Sequence, residues 1–358
     1  MATPIRTPQL TRRSLVRATA LGGCLAALGG CAAGTRPSSA GSHSQSKRDT
    51  QGQPSTGSVF AFDTYCTFTV YGDATAPAKL AQACTCFDRL FNMYDSSSDI
   101  ARINAAQGEP VAADPATIDL LEQALAFCQA AQGLFDITIG AVSTLWDFTE
   151  GIRPSDADLA DALPHVNWRF VELDASQGTV RLSDPEAKID LGGIAKGYVA
   201  DQLCELLERE TQASGAVLSL GGNIAFFGSK PGGAPWEAGI RDPNDPHGST
   251  VVGTARVAGG SLVTSGLYER TFELDGKKYW HILDPRTGMP VQTDVASDTV
   301  FCPSSTTADA LSTTLFVAGS REGAAIANAH EGTAAYFILQ NGGTAESARW
   351  QNLTDFRA

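Results

Sequence analysis

Positive charge is in short supply. The 358 residues hold 26 Lys and Arg against 39 Asp and Glu, a net charge of −13. A protein that grips a nucleic-acid backbone needs a basic surface, so nucleic acid is excluded as a partner. Long apolar runs are also lacking. The uncharged stretch from Ala18 to Ala33 is too short, and too rich in Gly and Ala, to span a bilayer. Zinc-finger spacing is missing from the eight cysteines: a single residue separates Cys84 from Cys86, and no His pair accompanies them. There is no Walker-type phosphate loop and no internal repeat. Hairpin signals mix with isolated helices instead of a regular βαβα alternation. That excludes a doubly wound sheet and predicts an α+β fold, with a mixed, largely antiparallel sheet packed against helices.

What is present begins with an address. Arg12-Arg13 precede the uncharged stretch, as in a twin-arginine export signal. Leu28-Gly29-Gly30-Cys31 has the form of a lipobox, and Leu21-Gly22-Gly23-Cys24 has it too. Cleavage at Cys24 would leave a very short apolar region, so Cys31 is preferred. An ordinary signal peptide cut elsewhere, or a retained anchor, fits the same letters. The expected organisation is an export signal over 1–30, a flexible polar tether over 31–58 and a folded domain over 59–358. The expected location is outside the cytoplasm, with the chain held to the membrane by a lipid on Cys31. Losing Arg6, Arg12, Arg13 and Arg17 with the signal takes the net charge from −13 to −17. A chain so acidic needs local cations to bind a phosphate substrate. Cys66, Cys84, Cys86, Cys128, Cys204 and Cys302 remain; some can pair outside the cytoplasm, and most read as small buried apolar residues.

Local patterns predict a strand over 60–71, helices over 76–93, 114–131, 195–210 and 308–317, and a hairpin turning at Asp275-Gly276. Four segments put Gly beside ionisable residues. In Asp190-Leu191-Gly192-Gly193-Ile194-Ala195-Lys196, a strand end turns into a helix, whose N-terminal N–H groups suit an anion. Lys196 in that first turn opposes the helix dipole, which points to a ligand, although a surface lysine on a plain turn fits as well. Ser219-Leu220-Gly221-Gly222-Asn223 permits close backbone approach, or is an ordinary turn. Around His281-Ile282-Leu283-Asp284-Pro285-Arg286-Thr287-Gly288, Pro285 and Gly288 force a turn. Among His43, His165, His247 and His281, only His281 sits beside other candidate groups. It reads equally as a general base or as a histidine that hydrogen-bonds the turn. Finally, Asp309 and Thr313 are four apart on a helix and so share a face. Together they can offer oxygen to one Mg²⁺ ion, while Asp309 as a helix cap is the simpler reading of that segment alone.

Taken in order, these segments resemble the FAD:protein FMN transferase (ApbE) family. The resemblance rests on Phe62-Asp63-Thr64; Tyr94-Asp95-Ser96 through Arg102-Ile103-Asn104; Gly133-Leu134-Phe135-Asp136 with Leu145-Trp146; Asp190 through Asp201; Thr264-Ser265-Gly266 through Arg270; His281 through Pro290; and Ala308 through Thr313. One departure is Phe91-Asn92-Met93-Tyr94, where many members carry Ser-Thr-Tyr. The resemblance implies a transferase that moves FMN from FAD to a Ser or Thr of an acceptor protein and releases AMP. It implies Mg²⁺ held by Asp309, Thr313 and the carbonyl of Gly193. It implies FAD contacts from Asp190 and Lys196, with Phe62, Tyr94, Leu134, Phe135, Asp136 and Leu283 lining the flavin site. His281 is the candidate base, with Asp284 as its orienter. Rival expectations are a Mg²⁺-dependent FAD pyrophosphatase, a non-catalytic FAD-binding lipoprotein and a solute-binding lipoprotein. The last needs no metal pair.

Overall fold

The computed structural model describes residues 52–245 and 249–358. The expected export signal, Cys31, the expected tether as far as residue 51, and His247 lie outside the described residues.

Fifteen strands and nine α-helices are present among the described residues. Strands β1 (Ser55–Ala61) and β2 (Thr64–Tyr71) open the chain, followed by helices α1 (Ala76–Phe91), α2 (Asp99–Ala105) and α3 (Pro115–Ala131) with β3 (Val111–Ala112) between the last two. Short helices α4 (Gly140–Ser143) and α5 (Asp156–Ala162) lead to β4 (Val171–Asp174) and β5 (Thr179–Leu182). Helix α6 (Ala195–Glu210) precedes β6 (Gly215–Leu220), β7 (Asn223–Gly228), β8 (Trp236–Arg241), β9 (Val251–Val257), β10 (Gly260–Gly266), β11 (Thr271–Leu274), β12 (Lys277–Trp280) and β13 (Val295–Cys302). Then come α7 (Ser305–Ala318), α8 (Ser320–Ala329), β14 (Ala334–Leu339), β15 (Thr344–Glu346) and α9 (Trp350–Thr354).

An eight-stranded sheet in the order β1-β2-β6-β7-β10-β13-β14-β15 forms the centre. Every neighbouring pair in it is antiparallel. The fold is therefore α+β, as the mixed pattern predicts. Helices α1, α6, α7 and α8 cover one face, where Leu80, Phe87, Leu203, Leu311 and Phe316 join the main core. Against the other face Trp236, Ile240 and Val257 from the β8–β9 ribbon meet Phe226, Tyr336 and Trp350. A small third core of Val142, Trp146, Leu159 and Leu283 packs with Phe272 and Tyr279 of the β11–β12 hairpin.

Two boundaries differ from expectation. Ser55 to Ser58 belong to the sheet and not to the tether, because strand pairing is a backbone property: Ser55 pairs with Val70 and Ser58 with Thr67. The stretch 60–71 is two strands, not one. Phe62 and Asp63 both adopt positive φ, 54° and 56°, and turn the chain back on itself. Helix α3 starts where its sequence says, with Asp114 accepting the Ala116 N–H at 2.9 Å and Pro115 in the first turn. All six described cysteines are free thiols. Among the described residues no helix is long and apolar enough to cross a membrane.

Candidate active site

The site is built where α6 and α7 run past each other. The Asp201 carboxylate, on α6, accepts hydrogen bonds from the Ser304 hydroxyl, the Ser305 N–H, and the Thr306 N–H and hydroxyl, at 2.8–2.9 Å. That cluster caps the first turn of α7 with a negative charge, the sign a helix N-terminus favours. One turn up α6, the Gly197 N–H donates to Asp309 Oδ2 at 2.8 Å. A Cβ on Gly197 would fall 2.3 Å from the Ser305 carbonyl oxygen and 2.6 Å from Asp309 Cβ. One turn further, a Cβ on Gly193 would lie 3.1 Å from Thr313 Oγ1 and 3.0 Å from Phe135 Cε2. Residues 193, 197 and 201 thus meet 313, 309 and 305, turn for turn. At 197 only glycine allows this approach.

Gly193, Asp309 and Thr313 are accordingly brought together. Asp309 is 5% exposed. Burial pushes its carboxyl pKa up, while the nearby Lys196 charge and the Gly197 N–H pull it down. Its Oδ1 and the half-buried Thr313 Oγ1 accept or donate no hydrogen bond among the described residues. Two idle oxygens facing a glycine turn suit a hard cation. No cluster of three His, Cys, Asp or Glu exists among the described residues. A cation here would therefore complete its shell with substrate oxygens and water, as Mg²⁺ does and tightly caged metals do not.

Lys196 Nζ donates to the Gly192 carbonyl at 3.0 Å. It lies within electrostatic range of both Asp309 and His281. His281 Nδ1 is enclosed and has no partner among the described residues. Burial, then the Arg270 and Lys196 charges, push its pKa down to about 4. The ring is neutral at neutral pH.

Asp284 does not orient His281. Its two oxygens are taken by Arg286: the N–H and Nε donate to Oδ1 at 2.9 and 2.8 Å, and Nη2 to Oδ2 at 2.7 Å. The turn through Pro285 and Gly288 folds Arg286 back onto Asp284 and occupies both carboxylate oxygens. Two expected flavin carboxylates are likewise engaged by the protein. Asp136 accepts from the Thr138 N–H and hydroxyl and from the Trp168 N–H. Asp190 accepts from the Ser143 hydroxyl at 2.8 Å and the Gly192 N–H at 2.9 Å, clamping the glycine turn. The Leu283 side chain is committed to the small third core. Phe135 is buried against Gly193, and Leu134 is half-buried beside it. Phe62 is held by its N–H to Asp88 Oδ1 at 2.8 Å. Tyr94 is 78% exposed, and Asp190, Arg270, Asp147 and Asp63 all lie within electrostatic range of its phenol.

Sequence reasoning gave no role to Asp201, Gly197 or Arg270. Gly197 had a signal: a glycine inside a helix costs about 1 kcal/mol against alanine, so it marks a close approach. Arg270 donates to Asp63 Oδ2 at 2.7 Å, and its carbonyl accepts the His281 N–H at 3.2 Å. It joins the β1–β2 tip to the strand end carrying the base.

The ApbE family model matches residues 62–337, which include every element of this site. The chain belongs to the ApbE family. It is 40% identical over 258 residues to the FAD:protein FMN transferase of Treponema pallidum, covering 68% of this chain and 71% of that one. It is 33% identical over 272 residues to the enzyme of the same name from Klebsiella pneumoniae, covering 75% and 84%. The ApbE protein of Thermotoga maritima superposes with a TM-score of 0.78 at 32% identity, covering 84% of this chain and 99% of that one. The apo flavinyl transferase ApbE of Pseudomonas stutzeri gives a TM-score of 0.74 at 25% identity, covering 86% and 98%.

Proposed function

We propose that this ApbE-family chain is a Mg²⁺-dependent FAD:protein FMN transferase. It attaches FMN from FAD through a phosphoester to a Ser or Thr of a target flavoprotein and releases AMP. The observation that carries the reading is the turn-for-turn meeting of Gly193 with Thr313 and Gly197 with Asp309, which leaves two unengaged oxygens beside Lys196. The names of its relatives support the substrate and the transfer.

The α6 N-terminus and Lys196 present positive potential to the FAD diphosphate. Phe62, Tyr94, Leu134 and Phe135 border the space for the isoalloxazine. The acceptor hydroxyl approaches the FMN phosphorus. A P–O bond forms to it and the bridging P–O bond to the AMP phosphate breaks. His281, neutral because its pKa is depressed, takes the hydroxyl proton at Nε2. Mg²⁺ held by Asp309, Thr313 and the Gly193 carbonyl would neutralise charge building on the departing phosphate. The Asp190 and Asp136 carboxylates shape the walls through the bonds they make to Gly192, Ser143, Thr138 and Trp168.

Incubation with FAD, Mg²⁺ and a Thr-bearing acceptor tests this. Covalent flavin fluorescence on the acceptor, with one AMP per label, is the expected result. FMN and AMP without labelled acceptor would make the chain an FAD pyrophosphatase. Bound FAD with no AMP would make it a non-catalytic flavin lipoprotein. Asp309→Ala should weaken Mg²⁺ binding measured by calorimetry as well as turnover.

Export through the twin-arginine signal and lipid anchorage at Cys31 belong to the same proposal and rest on the sequence alone. Mass spectrometry of the N-terminal peptide from membranes tests them: a diacylglyceryl mass on Cys31 is expected, and a free Cys31 thiol overturns the anchor.

A further inference from the structure

A transferase that modifies a protein must seat a polypeptide at the mouth of its site, and the reaction site itself does not say where. The two edges of the central sheet differ in a way that answers this. Edge strands attract other chains, and proteins guard them with short length, charge or proline. At one edge β15 is three residues long, Thr344–Glu346, and carries a charge. Among the described residues the other edge is β1, seven residues long, Ser55–Ala61, uncharged, with a proline only just ahead of it at Pro54.

The outward face of the same hairpin carries two aromatic rings in contact. Phe60 and Tyr65 are cross-strand partners with centroids 5.3 Å apart in a T-shaped pair. They are 60% and 73% exposed. Single exposed aromatics are ordinary, but a preassembled pair beside an unguarded edge is the kind of anchor that interfaces use. Of the other residues on that face, Thr56, Ser58 and Thr67 are exposed and Thr69 is half-buried, and all four are neutral. In a chain of net charge −13 this is a neutral landing place. The pair flanks the Phe62-Asp63 turn, and Asp63 is tied to Arg270, whose carbonyl holds the His281 N–H. The patch is thus continuous with the mouth where the acceptor hydroxyl must arrive.

We propose that the acceptor docks along β1 as an uncharged, extended segment. It adds a strand to the open edge, packs apolar side chains on the Phe60–Tyr65 pair and delivers its hydroxyl past Asp63 and Arg270. This rests on the transferase reading above. Main-chain pairing supplies affinity and the ring pair supplies preference for apolar neighbours.

The test uses two short synthetic peptides, each with one Thr, flanked by Val and Ala in one and by Glu in the other. With FAD and Mg²⁺, the full chain should label the apolar peptide about tenfold faster or more, the value of one good anchor contact. The double variant Phe60→Ser/Tyr65→Ser should lose that preference through a raised peptide KM, with FAD affinity unchanged by flavin fluorescence. Preference retained in the variant, or absent in the full chain, overturns the docking site while leaving transfer intact. AMP release with neither peptide labelled overturns transfer, and docking with it. A double variant that alters the sedimentation coefficient but not the peptide KM assigns the edge to a second copy of this chain instead. Faster labelling of both peptides on removal of residues 31–51, with the preference lost, assigns it to the chain's own leading segment.

Discussion

Gly197 and Asp309 lie against each other across 112 positions of sequence, with the glycine N–H on the carboxylate at 2.8 Å. The contact is steric as well as polar, because no Cβ fits between α6 and α7 at this level. Gly197→Ala would push the Ser305 carbonyl and Asp309 away. Overpacking of this kind costs about 1–3 kcal/mol. The variant should melt several degrees lower and bind Mg²⁺ at least about tenfold more weakly by calorimetry, a 1.4 kcal/mol effect. Unchanged Mg²⁺ affinity would show that the helix contact does not place the metal oxygens.

Asp201 sets the register of the same two helices. Asp201→Ala removes acceptors from four donors at the start of α7. A lost helix cap typically costs about 1 kcal/mol, and donors left unpaired raise that. Thermal denaturation should show a loss of roughly 2–3 kcal/mol on those grounds, with Asp201→Asn in between. Equal melting of wild type and Asp201→Ala would contradict the capping role.

His281 gives a pH signature. Burial and two cations lower its pKa to about 4, so the imidazole stays unprotonated through the usual histidine range. As pH falls, kcat/KM should hold level through pH 6.5 and decline only as the lowered pKa is approached. An acid limb at the ordinary histidine value would contradict the depressed pKa. His281→Ala should cut kcat by about 10²–10⁴. Asp284→Asn should leave the limb where it is, because Asp284 is bonded to Arg286 and not to the ring.

Asp298 stores a pH-dependent penalty. It is buried in β13, with Oδ1 accepting from Ser312 at 3.1 Å and Oδ2 without a partner among the described residues. Burial raises its folded-state pKa well above the usual carboxylate value. Its stabilising neutral form is complete below the unfolded pKa and is lost as pH rises through the folded one. Asp298→Asn stays neutral, so its melting temperature should gain on wild type between pH 4 and pH 8. A difference that stays flat with pH would refute the assignment.

The α+β class and most helices could be read from periodicity because their apolar faces are regular. Central strand β13 could not. Ser297 and Asp298 interrupt its apolar run, and only burial on both sides reveals it as a strand. That Asp309 and Thr313 share one helix face could be read from their spacing, since residues four apart on a helix lie on one side. The partner of Asp284 could not: a two-residue neighbour, Arg286, won over the more distant imidazole. Side-chain roles decided by competition among nearby donors, as at Asp136 and Asp190, have no period to betray them. The split of 60–71 into a hairpin was hidden because its first turn residue is Phe62, a type that seldom adopts positive φ, and no glycine marks the turn.

The open edge strand also has a mechanical meaning. Strand β1 runs antiparallel to β2 from Ser55 to the Phe62-Asp63 turn, so tension on the chain ahead of Ser55 falls first on the Ser55–Val70 pair. Pairs loaded one at a time give way at low force, unlike pairs loaded together. A pull from that side is borne by the β1–β2 pairing and by the seat of Gly57 on Pro77 of α1 before it reaches the α6–α7 interface.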